Sequence, residues 1–215
     1  MTKKLTNRFK RITSIALAMM LFVGMALPGF AAKINAEGAL VGDEDHPAKA
    51  AITKLFKMPE GTVTPDVEFK FNIAATKVDG EVASLTNPAP EIPEVKAVFN
   101  GENGNLVDNV KIVQFESGNI FNGVDWKHSG IYVYEVTEVQ KNNILIKTDP
   151  DMLEDELYYS QAKYELTVFV AQKANGDYYV QAIGALIKVI DNDDQVVDTK
   201  VDPTPGGVMI MITHK

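Results

Sequence analysis

Ser129-Gly130-Ile131-Tyr132-Val133-Tyr134-Glu135-Val136-Thr137-Glu138 places a large side chain at every second position, so Tyr132, Tyr134 and Val136 share one face of a β-strand. Glu138 continues that parity, which carries a carboxyl inward at the end of a buried face. The same period of two extends outward from this segment. Ala50, Ile52 and Phe56 form one set, Phe69, Phe71 and Ile73 a second, and Tyr164, Leu166, Val168 and Val170 a third. Ala174-Asn175-Gly176-Asp177 is a turn, and with the apolar stretch Tyr178 to Ile190 it reads as a hairpin. Val95 to Phe99, Val110 to Phe115 and Val208 to Thr213 are further strands. No segment carries a sustained helical stripe, and only Asp151 to Tyr159 has room for a helical turn; Thr76 to Pro93 reads as a long loop. Short strands separated by Gly, Pro, Asn and Asp clusters predict an all-β fold, an antiparallel sandwich forming one domain over 48–215.

Composition narrows the function classes. Of 215 residues 46% are hydrophobic and 23% charged, which suits a globular chain and argues against disorder, collagen or a multi-span membrane protein. The 21 basic and 29 acidic residues give a net charge of -8, so nucleic acid is not an expected partner. With no Cys there is no disulfide, zinc-thiolate site, lipid-anchored cysteine or thiol nucleophile.

Lys3, Lys4, Arg8, Lys10 and Arg11 precede the apolar run Ile12 to Phe30, and no acid occurs before Glu37. This pattern predicts a secretory signal peptide over 1–31, cleaved after Ala31, with Ala36 a second option and an uncleaved anchor helix the alternative. Cleavage after Ala31 removes five basic residues and no acid, leaving 16 basic against 29 acidic side chains, a net of -13. No stable membrane span is then expected, and the protein is extracellular. Residues 32–47 are small, polar and acidic and read as a leader.

Two charges break the strand pattern. Lys54 shares the parity of Ala50, Ile52 and Phe56, so the pleat points its amine toward the core, where an unpaired charge is costly. A strand end from which the side chain curls back to solvent would explain Lys54 or Glu138 taken singly. A buried lysine from the first strand and a buried glutamate from a later one are more telling as a pair.

The run Ala51-Ile52-Thr53-Lys54, the Phe69-Lys70-Phe71 strand, the Gly130-x-Tyr132-x-Tyr134-x-x-x-Glu138 strand and Tyr164-x-x-x-Val168 together resemble the pilin isopeptide-linkage domains of Gram-positive surface proteins, over roughly Ala50 to the C-terminus. The resemblance implies an immunoglobulin-like, CnaB-type β-sandwich. It also implies a self-made amide bond between the first-strand lysine and an Asn on the last strand, with Lys54 as nucleophile and Glu138 as proton shuttle. Burial lowers the lysine pKa to give a neutral amine and raises that of the glutamic acid, which can then polarise the amide carbonyl while ammonia leaves. The event happens once per molecule, without turnover. Expected partners are other pilin or surface-protein subunits and a sortase, to which Lys188 would be offered for joining subunits; its alternation with Ile187 and Val189 gives the plainer reading of a solvent-facing lysine.

The last strand departs from the family. Val208, Ile210 and Ile212 lead on one parity to His214, and neither Asn nor Asp occurs between Thr204 and Lys215. Three readings stay open: a lost cross-link, a C-terminus incomplete or shifted in frame near Gly207, or a strand donated by a partner chain. The chain stops without a sorting signal, and an incomplete C-terminus is the preferred expectation.

Other chemistry has less to stand on. His46, His128 and His214 follow no ligand spacing, and no metal or cofactor is expected. Asp191-Asn192-Asp193-Asp194 lacks the spaced ligands and glycine of a calcium loop. Trp126 and the tyrosines could form a sugar platform, but aromatics at strand spacing are more often core. Neither Gly-x-Ser-x-Gly nor His-Glu-x-x-His occurs, and nothing singles out a carboxylate pair for sugar hydrolysis. The resemblance implies a non-enzymatic pilin or adhesin stalk; the alternative is a secreted module binding host protein or glycan, favoured by exposed aromatics in 76–93 or 117–127.

Overall fold

The computed structural model describes residues 41–140, 144–146, 155–157, 159–189, 196–206 and 211–214. The chain divides into two compact units, Met1–Ile34 and Asn35–Lys215; the first lies outside the described residues, as do the signal cleavage site, Val208, Ile210 and the acidic run 191–194. All regular structure among the described residues is β, and none of them forms a helix long and apolar enough to cross a membrane.

The strands are β1 (Thr53–Pro59), β2 (Val67–Val78), β3 (Glu81–Val82), β4 (Val95–Phe99), β5 (Asn105–Val107), β6 (Val110–Glu116), β7 (Gly130–Glu138), β8 (Ile144–Ile146), β9 (Asp155–Leu157), β10 (Lys163–Gln172), β11 (Tyr178–Val189), β12 (Val196–Val201) and β13 (Met211–His214). One sheet has the order β13-β1-β6-β5. The larger one runs β12-β11-β10-β7-β2, with β3 and β4 both pairing with β2, and β8 and β9 form a separate hairpin. Among the described residues, all strand pairings are antiparallel except that of β1 with β13.

The inward parities of the sequence become the core. Ile52, Phe56, Met58 and Val113 of the smaller sheet's side meet Phe69, Phe71, Tyr132, Tyr134, Val136, Tyr164, Leu166 and Val168 of the larger sheet in a single apolar cluster. The two tyrosines of β7 keep their hydroxyls satisfied at its margin, Tyr132 donating to His128 O at 2.8 Å and Tyr134 to Pro90 O at 3.0 Å. This arrangement is an immunoglobulin-like β-sandwich.

Two local expectations are corrected. The segment Thr76 to Pro93 is not loop throughout. β2 continues to Val78, and Asp79 and Gly80, at φ 53° and 84°, make the tight turn into β3. In the segment Asp151 to Tyr159, which has room for a helical turn, residues Asp155–Leu157 form β9 instead, because their backbone finds a ladder partner in β8. Structure also begins before Ala48: Val41 bridges to Ala182, Gly42 N donates to Gln181 O at 2.8 Å, and Ala48 N donates to Val180 O at 2.9 Å.

The glycine opening β7 has a steric reason. A Cβ on Gly130 would fall 2.6 Å from Asp79 Oδ1, the atom that accepts Ile131 N–H at 2.8 Å while Asp79 N–H donates to Ile131 O at 2.8 Å. Close approach, with no demand on φ, selects glycine here.

Candidate functional site: a lysine and a glutamate buried between the sheets

β1 delivers Lys54 to the inner face of the smaller sheet between Ile52 and Phe56. β7 delivers Glu138 from its end in the larger sheet, opposite Phe71 of β2. Lys54 Nζ stands 3.1 Å from Glu138 Oε1 and 2.9 Å from Oε2, and neither side chain is exposed at all. The two inward charges of the sequence are therefore one ion pair joining the sheets. Nζ also lies 4.3 Å from the ring centroid of Phe69, a cation–π distance. Phe69 is itself walled by Phe56 at 5.3 Å, Phe99 at 5.7 Å and Tyr159 at 5.7 Å.

The connection from β7 to β10 closes the site. Leu157, Tyr159 and Ser160 are buried, and Ser160 N–H donates to Glu138 Oε2 at 3.1 Å. Burial pushes the Tyr159 phenol pKa up, and the charge of Glu138 adds to the effect. Dry surroundings penalise charge on both members of the pair, while their mutual attraction favours it; passing a proton from Nζ to the carboxylate removes both charges and keeps a hydrogen bond between them. A neutral amine beside a protonated carboxyl is the state in which such a lysine can attack a carbonyl.

The last strand is set beside the first from within the same chain. Ala51 N–H donates to Pro203 O at 3.0 Å, and Gly206 N–H donates to Glu116 Oε2 at 2.7 Å. Asp202 Oδ1 accepts from Thr204 N–H and Oγ1 at 3.0 and 2.7 Å, which shapes the turn before β13. The parallel register sets Lys54 opposite Ile212 and Phe56 opposite His214. His214 is thus two residues past the position facing Lys54, and an imidazole has no side-chain carbonyl to be attacked.

The remaining candidates lie elsewhere. Lys188 is half-buried at an irregularity in the β11–β12 pairing, between Ile187 and Val189, and does not have the open exposure that simple alternation suggested. Trp126 is buried against Phe121, at 5.9 Å, and Tyr132, at 5.0 Å, so it is core and not a sugar platform. His46 pairs with Asp43 on the surface, and His128 packs on the Tyr132 ring. Sequence reasoning missed Tyr159 and Ser160. Tyr159 falls where no strand parity marks it, and Ser160 acts through a backbone N–H, which nearly every residue type carries.

The chain is thus an immunoglobulin-like sandwich with a lysine and a glutamate paired between its sheets. Residues 50–198 match the model of the FctA family, the Spy0128-like isopeptide-containing domain, and the chain belongs to that family. No curated protein matches the chain in sequence. Among solved structures it is similar to the major pilin protein (T3.2) from Streptococcus pyogenes serotype GAS13637, at 17% identity and a TM-score of 0.49, covering 78% of this chain and 51% of that one. It is also similar to the major pilin from Streptococcus pyogenes, in a mutant form at 19% identity, TM-score 0.42 and coverage of 77% and 50%, and in a second structure at 19%, 0.39, and 78% and 50%. The chain spans about half the length of these pilins.

Proposed function

We propose that this protein is an exported structural subunit of a surface pilus or adhesin stalk, whose domain is arranged for a single autocatalytic Lys–Asn amide bond between its first and last strands. The observation that carries the reading is the buried Lys54–Glu138 pair in a chain of the isopeptide-domain family. In the reaction, Lys54 passes a proton to Glu138, and its neutral Nζ attacks the carbonyl carbon of an Asn side chain. The new N–C bond replaces the carboxamide C–N bond, and Glu138 relays the proton lost by the lysine nitrogen to the departing nitrogen, which leaves as ammonia. A bond between first and last strands would keep the sheet from peeling when the ends are pulled. Export would follow from the signal at 1–31, subunit joining would use a sortase, and Lys188 remains the candidate for that joint.

The sequence holds Ile212 at the position facing Lys54, so the test installs an acceptor. Ile212→Asn is expected to lose the mass of one ammonia, and the loss is expected to vanish when Lys54→Ala or Glu138→Ala is added. His214→Asn, opposite Phe56, serves as the register control. If both asparagine variants fold and neither loses ammonia, the cross-linking role of the pair is wrong. Surface labelling of intact secreting cells checks the location; protein found only inside the cell rejects export.

A further inference from the structure

Ser160 is held through both of its backbone polar groups by β7 and its continuation. Its N–H donates to Glu138 Oε2 at 3.1 Å, and its carbonyl oxygen accepts from Gln140 Nε2 at 3.0 Å. Its hydroxyl is also engaged, accepting Ala162 N–H at 3.2 Å, and the residue is 2% exposed. Glu138 and Gln140 lie two apart, on one parity, so alternate side chains of one chain segment grip the donor and the acceptor ends of a single residue. Among the described residues, the groups facing the Glu138 carboxyl that can carry charge include Lys54 from β1 and Tyr159 from the β7–β10 connection.

We propose that Ser160 is a positioning residue for the Lys54–Glu138 pair: Nζ reaches both oxygens, Oε2 at 2.9 Å and Oε1 at 3.1 Å, and the Ser160 N–H fixes the carboxyl plane and lowers the proton affinity of Oε2, so that the lysine proton is taken on Oε1. The inference rests on the proposed role of the pair. An oxygen that accepts an amide N–H is stabilised in its charged form and has the lower proton affinity of the two. When Lys54 gives up its proton, the N–H bond at Nζ breaks, the electron pair stays on nitrogen, and an O–H bond forms at Oε1; no other reactant is needed. The neutral amine and the acidic O–H then face the same space while Ser160 keeps the carboxyl from rotating.

The test is the pH titration of the Glu138 side-chain carboxyl by carbon NMR in the full chain, comparing wild type, Ser160→Ala and Ser160→Pro. Ser160→Ala keeps the N–H and is expected to titrate like wild type. Ser160→Pro removes the N–H and is expected to move the Glu138 midpoint up by about one pH unit. A folded Ser160→Pro with an unmoved midpoint overturns the proposal. If Ser160→Pro does not fold, the exposed Gln140→Ala releases the Ser160 carbonyl and with it one restraint on the residue. It is then expected to raise the midpoint by less and to speed exchange of the Ser160 amide proton, and no change in either overturns the proposal. Failure of the cross-linking reading shows separately, as the absence of ammonia loss from the asparagine variants, and does not alter this titration.

Discussion

Lys54 Nζ sits 2.9 Å from Glu138 Oε2, in a bond between residues 84 positions apart that crosses from the smaller sheet to the larger with neither side chain reaching water. Removing one partner of such a pair strands the other. Lys54→Met should lower unfolding free energy in urea by about 3–5 kcal/mol at neutral pH. Lys54→Met with Glu138→Leu should recover most of that loss, because two apolar groups replace two desolvated charges. The single variant's deficit should grow as the pH rises above the ordinary glutamate value of about 4.3, since a lone buried carboxyl is held in its protonated form and its folded-state pKa is raised. A double-mutant cycle with coupling near zero would contradict the pairing.

Three core tyrosines set an alkaline limit. Burial pushes the Tyr132 phenol up to about 12 and raises Tyr134 and Tyr159 as well. A folded-state pKa above the unfolded value of about 10 means that the unfolded chain holds fewer protons in this window. Stability is therefore intact below about pH 10 and lost as the pH climbs toward about 12. Absorbance titration of the seven tyrosines should show a late group whose ionisation coincides with unfolding. A single transition near pH 10 with the fold intact would refute the burial argument.

Gly130→Ala should destabilise by about 1–2 kcal/mol, because the new methyl displaces Asp79 Oδ1 from the Ile131 N–H. Since the clash is with the tip of a side chain, Asp79→Gly should relieve the strain of Gly130→Ala while suiting the positive φ at that position. Full additivity of the two changes in thermal unfolding would show that the steric account is wrong.

Trp126, the single tryptophan, should emit at short wavelength and resist quenching by iodide, because it is 7% exposed and packed on Phe121 and Tyr132. Trp126→Ala should cost about 3–5 kcal/mol. Red-shifted, readily quenched emission would return Trp126 to the surface and with it the sugar-platform reading.

Period-two patterning carries much of the fold. Alternation in 129–138 and 164–170 was enough for strands with one buried face, since a strand's side chains can only alternate, and Lys54 and Glu138 stood out because each broke that face with a charge. What alternation cannot carry is distance between strands. That Lys54 and Glu138 meet, that Ser160 reaches the same carboxyl, and that β13 sets Ile212 and not His214 opposite Lys54 all depend on how the sheets close and how the strands register. The β7–β10 connection was least legible, because its role rests on backbone donors and on contacts made only after the sandwich forms. Alternation along the chain dictates which side chains leave water; the packing of the two sheets selects which partner each charge finds there, because a buried ion pair is chosen by geometry across the core and not by neighbours along the chain.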